Sequence, residues 1–170
     1  PGLSLVSFPE VLRRRGGRQP TVALLREVLD ELPGTSWMIL DCPPRIDAWG
    51  VTGLEACQEV LVPVQSEFFA MQGLAQMLRI VEGVKSSRNP GLEVAGFLLT
   101  MVDWREQLHT DVVGEVKSHM HGKVFATQIP RDLKLAEASS HGKPIWEYDN
   151  SSPGALAYLQ LAREIMGEEP

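Results

Sequence analysis

A chain of 170 residues, 44% hydrophobic and 22% charged, holds enough apolar material for one domain with a sizeable core. Its net charge of −6 excludes a protein that coats nucleic acid by bulk charge, although a local basic patch remains open. Cys42 and Cys57 have neither zinc-ligand spacing nor the density of a disulfide scaffold, and no apolar run approaches the roughly 20 residues that cross a bilayer, so a reducing cytosol is the expected setting.

Residues 3–8 are expected to form a short strand closed by Pro9. A basic segment follows, Arg13-Arg14-Arg15-Gly16-Gly17-Arg18, which reads as a solvated surface loop. It is not a phosphate-binding P-loop: that loop needs Gly-Lys-Ser/Thr opening a helix, whereas Gly16-Gly17 runs into Arg18-Gln19-Pro20. Val22, Leu25, Val28, Leu29 and Leu32 recur at helical spacing and predict a helix over 21–32, ended by Pro33-Gly34.

Trp37-Met38-Ile39-Leu40 then runs into Asp41-Cys42-Pro43-Pro44. A continuous apolar run followed by turn signals predicts a strand buried on both faces, as in a parallel sheet. An acid at such a strand's carboxyl end lies where open α/β folds bind ligands. In P-loop nucleotide hydrolases, a Walker B aspartate that helps hold Mg²⁺ occupies this place.

Residues 45–50 suit a loop at the site edge, 51–57 a helix and 59–64 another strand. Gln65-Ser66-Glu67 is expected to start a long helix, with Phe68, Met71, Leu74, Ala75, Leu78 and Val81 as its core-facing stripe. Asn89-Pro90-Gly91 turns into a strand over 94–101, and Asp103-Trp104-Arg105 stands just beyond it. A helix over 110–119 leads to a strand over 124–129, which ends in Pro130-Arg131-Asp132. A short helix over 133–140 follows. Ser152-Pro153 opens the last helix with an N-cap and a first-turn proline, its apolar face expected from Leu156, Leu159, Ala162 and Ile165.

Alternating strands and helices at these spacings predict an α/β fold with a mostly parallel sheet and right-handed crossovers. The pattern shows no repeat and no composition shift that would divide residues 1–170 into two domains. Parallel strands bring the loops after Asp41, Val64, Met101 and Ile129 to one edge, collecting Asp41, Pro43, Gln65, Glu67, Asp103, Arg105, Pro130 and Arg131. Such a set suits a charged nucleotide. His109, His119, His121 and His141 lack metal-ligand spacing, and no Gly-x-Ser-x-Gly elbow supports a serine hydrolase.

Several segments form an ordered series: Asp41-Cys42-Pro43-Pro44, residues 59–65 with Glu67-Phe68-Phe69-Ala70, Asn89-Pro90-Gly91-Leu92-Glu93, and Leu98-Leu99-Thr100-Met101-Val102-Asp103 with Arg105. Ile129-Pro130-Arg131, Leu135-Ala136-Glu137-Ala138, Ser140-His141-Gly142-Lys143-Pro144-Ile145 and Tyr148-Asp149 continue it. In order and spacing this series resembles the ParA/Soj partition ATPases, relatives of MinD, over nearly the whole chain from residue 21 onward.

The resemblance implies a P-loop NTPase-like fold of the SIMIBI class, with helices on both faces of the sheet. It also implies an ATPase of plasmid or chromosome partitioning that dimerises around ATP and Mg²⁺, binds DNA without sequence specificity, and hydrolyses ATP when stimulated by a ParB-like partner. By position, Asp41 would be the Walker B acid, acting on Mg²⁺ through water. Met101, Asp103, Pro130 and Arg131 would sit on the adenine side, and Arg105 and Lys134 would face DNA. A cytoplasmic, nucleoid-associated location goes with these roles.

The sequence also departs from the family pattern. The Lys-Gly-Gly-x-Gly-Lys-Thr loop, its helix and the next strand have no counterpart in these 170 residues. Without the P-loop strand the sheet would have a gap in its middle, leaving costly unpaired backbone groups. A carboxyl-terminal piece of a longer protein is therefore expected, inactive as an ATPase by itself, unless residues 3–8 or a partner chain fill the gap. The alternative is a P-loop-less paralogue acting as a non-catalytic adaptor or DNA-binding scaffold. A nitrogenase-type iron protein is a weaker option, since only Cys42 and Cys57 are available for a cluster. Ser139 replaces a usual proline, and Asn150-Ser151-Ser152-Pro153 stands where basic residues are common, which weakens the DNA expectation. The acidic end, residues 163–170, does not resemble a membrane-binding basic helix.

Overall fold

The computed structural model describes residues 2–7, 21–30, 35–42, 48–120 and 122–168. The basic segment 13–18, the Pro33-Gly34 helix end, the loop 43–47 and His121 lie outside the described residues. The chain divides into two compact units, residues 1–60 with 77–93 and residues 61–76 with 94–170.

In the first unit, β1 (Gly2–Ser7) pairs in parallel with β2 (Thr35–Asp41), placing Leu3 beside Trp37, Leu5 beside Ile39 and Ser7 beside Asp41. Between them lies α1 (Val22–Asp30), whose first turn is capped by Thr21: its hydroxyl accepts the Leu24 N–H at 3.2 Å. Leu25 is the buried anchor of this helix. A second helix, α2 (Ala48–Ala56), begins earlier than its apolar pattern predicts. The Asn89 side-chain amide donates to the carbonyls of Leu54 and Cys57 at 2.9 and 2.8 Å, satisfying acceptors that a helix end leaves open.

The expectation that the Trp37–Leu40 run is buried on both faces is corrected. Trp37, Met38 and Ile39 are all exposed, Ile39 by 51%. Among the described residues, the ladder that holds β2 is the two-stranded one with β1, and a lone pair of strands cannot cover both faces.

The second ladder joins β3 (Glu59–Gln65) and β4 (Glu93–Thr100). Val62 and Val64 on β3 are buried while Pro63 and Gln65 are exposed, a period-two pattern. On β4, Gly96 to Leu99 are buried without a break, as expected of an inner strand. After β3 the chain does not enter a helix at Gln65. The Ser66 N–H is spent on the Thr100 carbonyl at 3.1 Å and the Glu67 N–H on the Gln65 carbonyl at 2.8 Å. The long helix α3 therefore starts later (Ala70–Ser87), with Leu74 and Val81 buried. Phe68 is left in the turn, 72% exposed and packed edge-on against Phe69, and Ala75 is also exposed, so neither belongs to the predicted core stripe.

Beyond β4, α4 (Gln107–His119) buries His109, Val112, Val113 and Val116, positions on one helical face. The predicted strand over 124–129 is an interrupted parallel partner of β4. Phe97 donates to Lys123 and accepts from Phe125, and Leu99 accepts from Ile129. Two regular steps on β4 thus face four on the other side, and the bulge between them turns the N–H groups of Ala126 and Thr127 onto the Glu164 carboxylate, at 2.6 and 2.9 Å. Burial alone would raise the Glu164 pKa, but hydrogen bonds from Thr127 and Ala126 outweigh it and hold the group below its ordinary value. Gly96 permits the close approach here: a Cβ would stand 2.7 Å from the Phe125 ring and 2.9 Å from the Lys123 carbonyl.

Three helices complete the unit: α5 (Leu133–Ser140), α6 (Ile145–Tyr148) and α7 (Pro153–Ile165). Ser152 caps α7, its hydroxyl accepting the Ala155 N–H at 3.2 Å, with Pro153 in the first turn as predicted. The predicted apolar face of α7 is corrected. Ala157 and Leu161 pack with Leu98 and Ile129, supported by Leu61, Phe125 and Leu135, whereas Leu156, Leu159, Ala162 and Ile165 are exposed, Leu156 by 50%. The helix is apolar nearly all round, and the face bearing the small Ala157 allows the closest approach to the strands. Among the described residues, no helix is long and apolar enough to cross a membrane.

Candidate functional site

The loop that leaves β4 is held by contacts from several elements of the second unit. Met101 follows the strand with φ +57, the left-handed region that a side chain rarely occupies. Such a conformation costs roughly 1–2 kcal/mol and persists only where neighbours impose it. They do so here from three sides. Val102, fully buried, bridges in parallel to Pro130, donates to the Ile129 carbonyl at 3.1 Å and accepts the Arg131 N–H at 2.9 Å. Ser66, at the exit of β3, is completely buried, its hydroxyl 3.2 Å from the Met101 carbonyl and 3.3 Å from that of Thr100. The third contact is His109 of α4, whose Nδ1 stands 2.9 Å from the Ser66 hydroxyl and receives the Asp103 N–H at 3.3 Å.

With Nδ1 accepting the Asp103 N–H, Nε2 is the ring nitrogen left to donate. The Ser66–His109 pair has the composition of a nucleophile and its base but not the access, since Ser66 has no solvent-exposed surface. Sequence reasoning missed this pair because its members lie 43 residues apart, each looking like an ordinary turn or helix residue.

Asp103 continues the loop and binds Arg105 through both carboxylate oxygens, at 2.8 Å from Nε and 2.6 Å from Nη2, while also accepting the Arg105 N–H at 3.1 Å. These contacts from Arg105 hold the Asp103 carboxyl well below the usual carboxylate range. Arg131 reaches Glu67 at 3.6 Å, an exposed ion pair of small energetic weight. The second unit therefore brings Met101, Asp103, Arg105, Pro130 and Arg131 together around the exits of β3 and β4.

Lys134, on α5, is also engaged. Its ammonium donates to Glu137 at 2.7 Å and lies 5.8 Å from the centre of the Tyr148 ring. The Tyr148 hydroxyl donates to the same carboxylate at 2.9 Å, and His141 stacks on the ring. Both cations expected to face DNA thus hold carboxylate partners within their own chain.

Asp41 is the last residue of β2, exposed, in the first unit. No group of three or more metal-capable side chains exists among the described residues. A single exposed carboxylate fits Mg²⁺, which keeps several waters and combines one or two carboxylates with substrate phosphates. It does not fit zinc or an iron–sulfur cluster. Burial, then the Asp41 charge, raises the Cys42 pKa; burial, then Cys42, pushes Cys57 up to about 11, so both remain protonated thiols at neutral pH.

Residues 3–94, more than half of the chain, match the AAA domain family. The chromosome partitioning protein ParA of Caulobacter vibrioides is 40% identical over 148 residues, covering 85% of this chain and 55% of the relative. The sporulation initiation inhibitor protein Soj of Bacillus subtilis is 45% identical over 129 residues, covering 76% of this chain and 51% of the relative. The chain thus spans about half the length of the curated relatives it matches. Among solved structures, cobyrinic acid a,c-diamide synthase from Mycobacterium smegmatis with bound ADP and magnesium superposes with a TM-score of 0.70 at 29% identity, over 93% of this chain and 58% of that one. An α/β chain with parallel strands, a P-loop NTPase fold and these relatives belongs to the ParA/Soj family.

Proposed function

We propose that this chain carries the Walker B and nucleotide-base side of a ParA-type ATPase that segregates plasmid or chromosomal DNA. The observation that carries the reading is the β4 exit loop, where Met101 and Asp103 are tied through Val102 to Pro130 and Arg131. Backbone groups fixed in this way can recognise a base edge without reorganising on binding. In this reading Met101, Asp103, Pro130 and Arg131 line the adenine side. Asp41 would help hold Mg²⁺, and the ion would supply neutralisation of phosphate charge.

The whole protein would form an ATP-dependent homodimer, bind DNA nonspecifically through cations such as Arg105 and Lys134, and hydrolyse ATP on stimulation by a ParB-like partner. Its place would be the cytoplasm, on the nucleoid. By itself the 170-residue sequence offers no Gly-Lys-Ser/Thr loop to cradle phosphates, so it should hydrolyse no ATP. The same observation supports a second reading, a non-catalytic ParA-like adaptor or DNA scaffold.

Steady-state ATPase assays on the full-length gene product, with and without DNA and a ParB-type protein, separate the two. The ATPase reading expects DNA- and partner-dependent turnover that falls about 100-fold or more in Asp41→Ala. Wild-type turnover in that variant would remove Asp41 from the site. DNA binding with no turnover under any condition would establish the scaffold instead.

A further inference from the structure

We propose that Ser66 and His109 are positioning residues: a buried hydrogen-bonded pair that holds the β4–α4 loop, Met101 to Asp103, in the shape that receives the nucleotide base. This rests on the reading that the loop lines the adenine side.

Four facts converge. Met101 adopts a φ of +57, which its own side chain disfavours, so the loop shape is imposed by its surroundings. The only hydroxyl proton of Ser66 has three acceptors around it: His109 Nδ1 at 2.9 Å, the Met101 carbonyl at 3.2 Å and the Thr100 carbonyl at 3.3 Å. His109 Nδ1 in turn takes the Asp103 N–H at 3.3 Å, so the pair holds both ends of the loop, Asp103 through His109 and Met101 through Ser66. Neither side chain is accessible enough for chemistry of its own, Ser66 being wholly buried and His109 only 9% exposed.

A buried polar pair that merely stabilised the fold could be replaced by apolar residues of similar shape at little cost. This one cannot, because two of its partners are backbone groups of the strained turn, and removing it strands the Asp103 N–H and frees Met101 to relax to negative φ. Loop position, and with it discrimination between bases, is what the pair should control. Base edges differ in their donor and acceptor pattern, so a displaced backbone loses the preference before it loses all affinity.

The test uses the full-length gene product carrying His109→Leu, His109→Asn or Ser66→Ala. Asn returns an acceptor near the place of Nδ1; Leu does not. Amide hydrogen exchange at Asp103 should accelerate about tenfold or more in His109→Leu and Ser66→Ala, with exchange at the core amides of Leu98 and Leu99 unchanged, and should recover towards wild type in His109→Asn. Competition binding should show the ATP-over-GTP preference falling about tenfold in His109→Leu and recovering in His109→Asn. Wild-type exchange at Asp103 in both His109→Leu and Ser66→Ala would overturn the proposal, as would equal losses for ATP and GTP alongside accelerated core exchange. If the wild-type protein shows no preference for ATP, the adenine-side reading fails while the exchange experiment still decides whether the pair holds the loop.

Discussion

Gly154 donates its backbone N–H to one carboxylate oxygen of Asp132 at 2.8 Å, while the other oxygen receives the N–H of Lys134 at 2.9 Å. One side chain thereby serves the first turns of both α5 and α7, satisfying donors that neither helix can satisfy internally. Asp132→Ala should destabilise the protein by about 1–3 kcal/mol, a helix cap plus a second lost charge-assisted hydrogen bond. Gly154→Ala should be comparably harmful, since its Cβ would stand 2.7 Å from Leu135 Cγ and 3.0 Å from the Asp132 oxygen. Urea unfolding monitored by circular dichroism checks both, and a midpoint shift within error for Asp132→Ala would refute the shared cap.

The Glu137–Lys134–Tyr148 group has a pH signature. The hydrogen bond to Glu137 raises the Tyr148 pKa above 10, whereas Lys134 first and Tyr148 second lower that of Glu137 below 4.5. A raised tyrosine contributes stability that is complete below its unfolded pKa and lost as pH climbs through the folded value. The depressed glutamate contributes above its unfolded pKa and is lost as pH falls through the folded value. Absorbance titration of tyrosinate is clean because the chain has two tyrosines, Tyr148 and Tyr158. One should ionise above 10 and return towards 10 in Glu137→Ala; a titration unaltered by that substitution would show that the hydrogen bond does not persist in solution.

Phe68 and Leu74 should respond in opposite ways to truncation. Leu74 is buried in α3, so Leu74→Ala should cost about 2–5 kcal/mol. Phe68 is largely exposed in the preceding turn, and Phe68→Ala should stay within about 0.5 kcal/mol. Comparable losses in thermal unfolding would mean that Phe68 is covered in solution.

Asp103 competes with any phosphate for Arg105. In the full-length gene product, Asp103→Asn removes the charge while keeping an acceptor, so nonspecific duplex binding should tighten and the slope of log K against log salt should steepen by up to about 0.9. Arg105→Ala should show no such steepening when combined with it. A salt slope identical in wild type and Asp103→Asn would mean that Arg105 does not reach phosphate.

How far the chain could be read in advance varied with how local each signal was. The strand–helix alternation, the Ser152-Pro153 start and the loop after β4 are written in neighbouring residues, and they appear where expected, whereas the long helix after β3 starts at Ala70 and not at Gln65. Burial was harder to read. Leu156, Leu159, Ala162 and Ile165 satisfy helical spacing as well as Ala157 and Leu161 do, and only the strands beneath decide between faces. The Trp37–Ile39 run carries the composition of an inner strand, but composition does not supply the neighbours that would cover it. The 124–129 run reads as a strand but forms only isolated bridges beside β4, and its interruption was not legible, because the acceptor for the freed N–H groups lies 37 and 38 residues away. In the candidate site, Asp103, Arg105, Pro130 and Arg131 were visible as strand-exit residues, whereas the pairings of Arg105 with Asp103 and of Lys134 with Glu137 follow from side-chain rotamers that sequence does not encode directly.

Glu164 gives the protein a built-in clock. The amides of Ala126 and Thr127 have their acceptor on α7, so their protection from solvent exchange depends on a helix formed nearly forty residues later in the chain. Each time that helix lifts, both amides lose their acceptor together, whereas the Ile129 N–H has its acceptor on β4, the Leu99 carbonyl. Their exchange rates should therefore equal each other, exceed that of Ile129, and report how often the last helix undocks. Glu164→Gln should quicken the pair and leave Ile129 at its former pace.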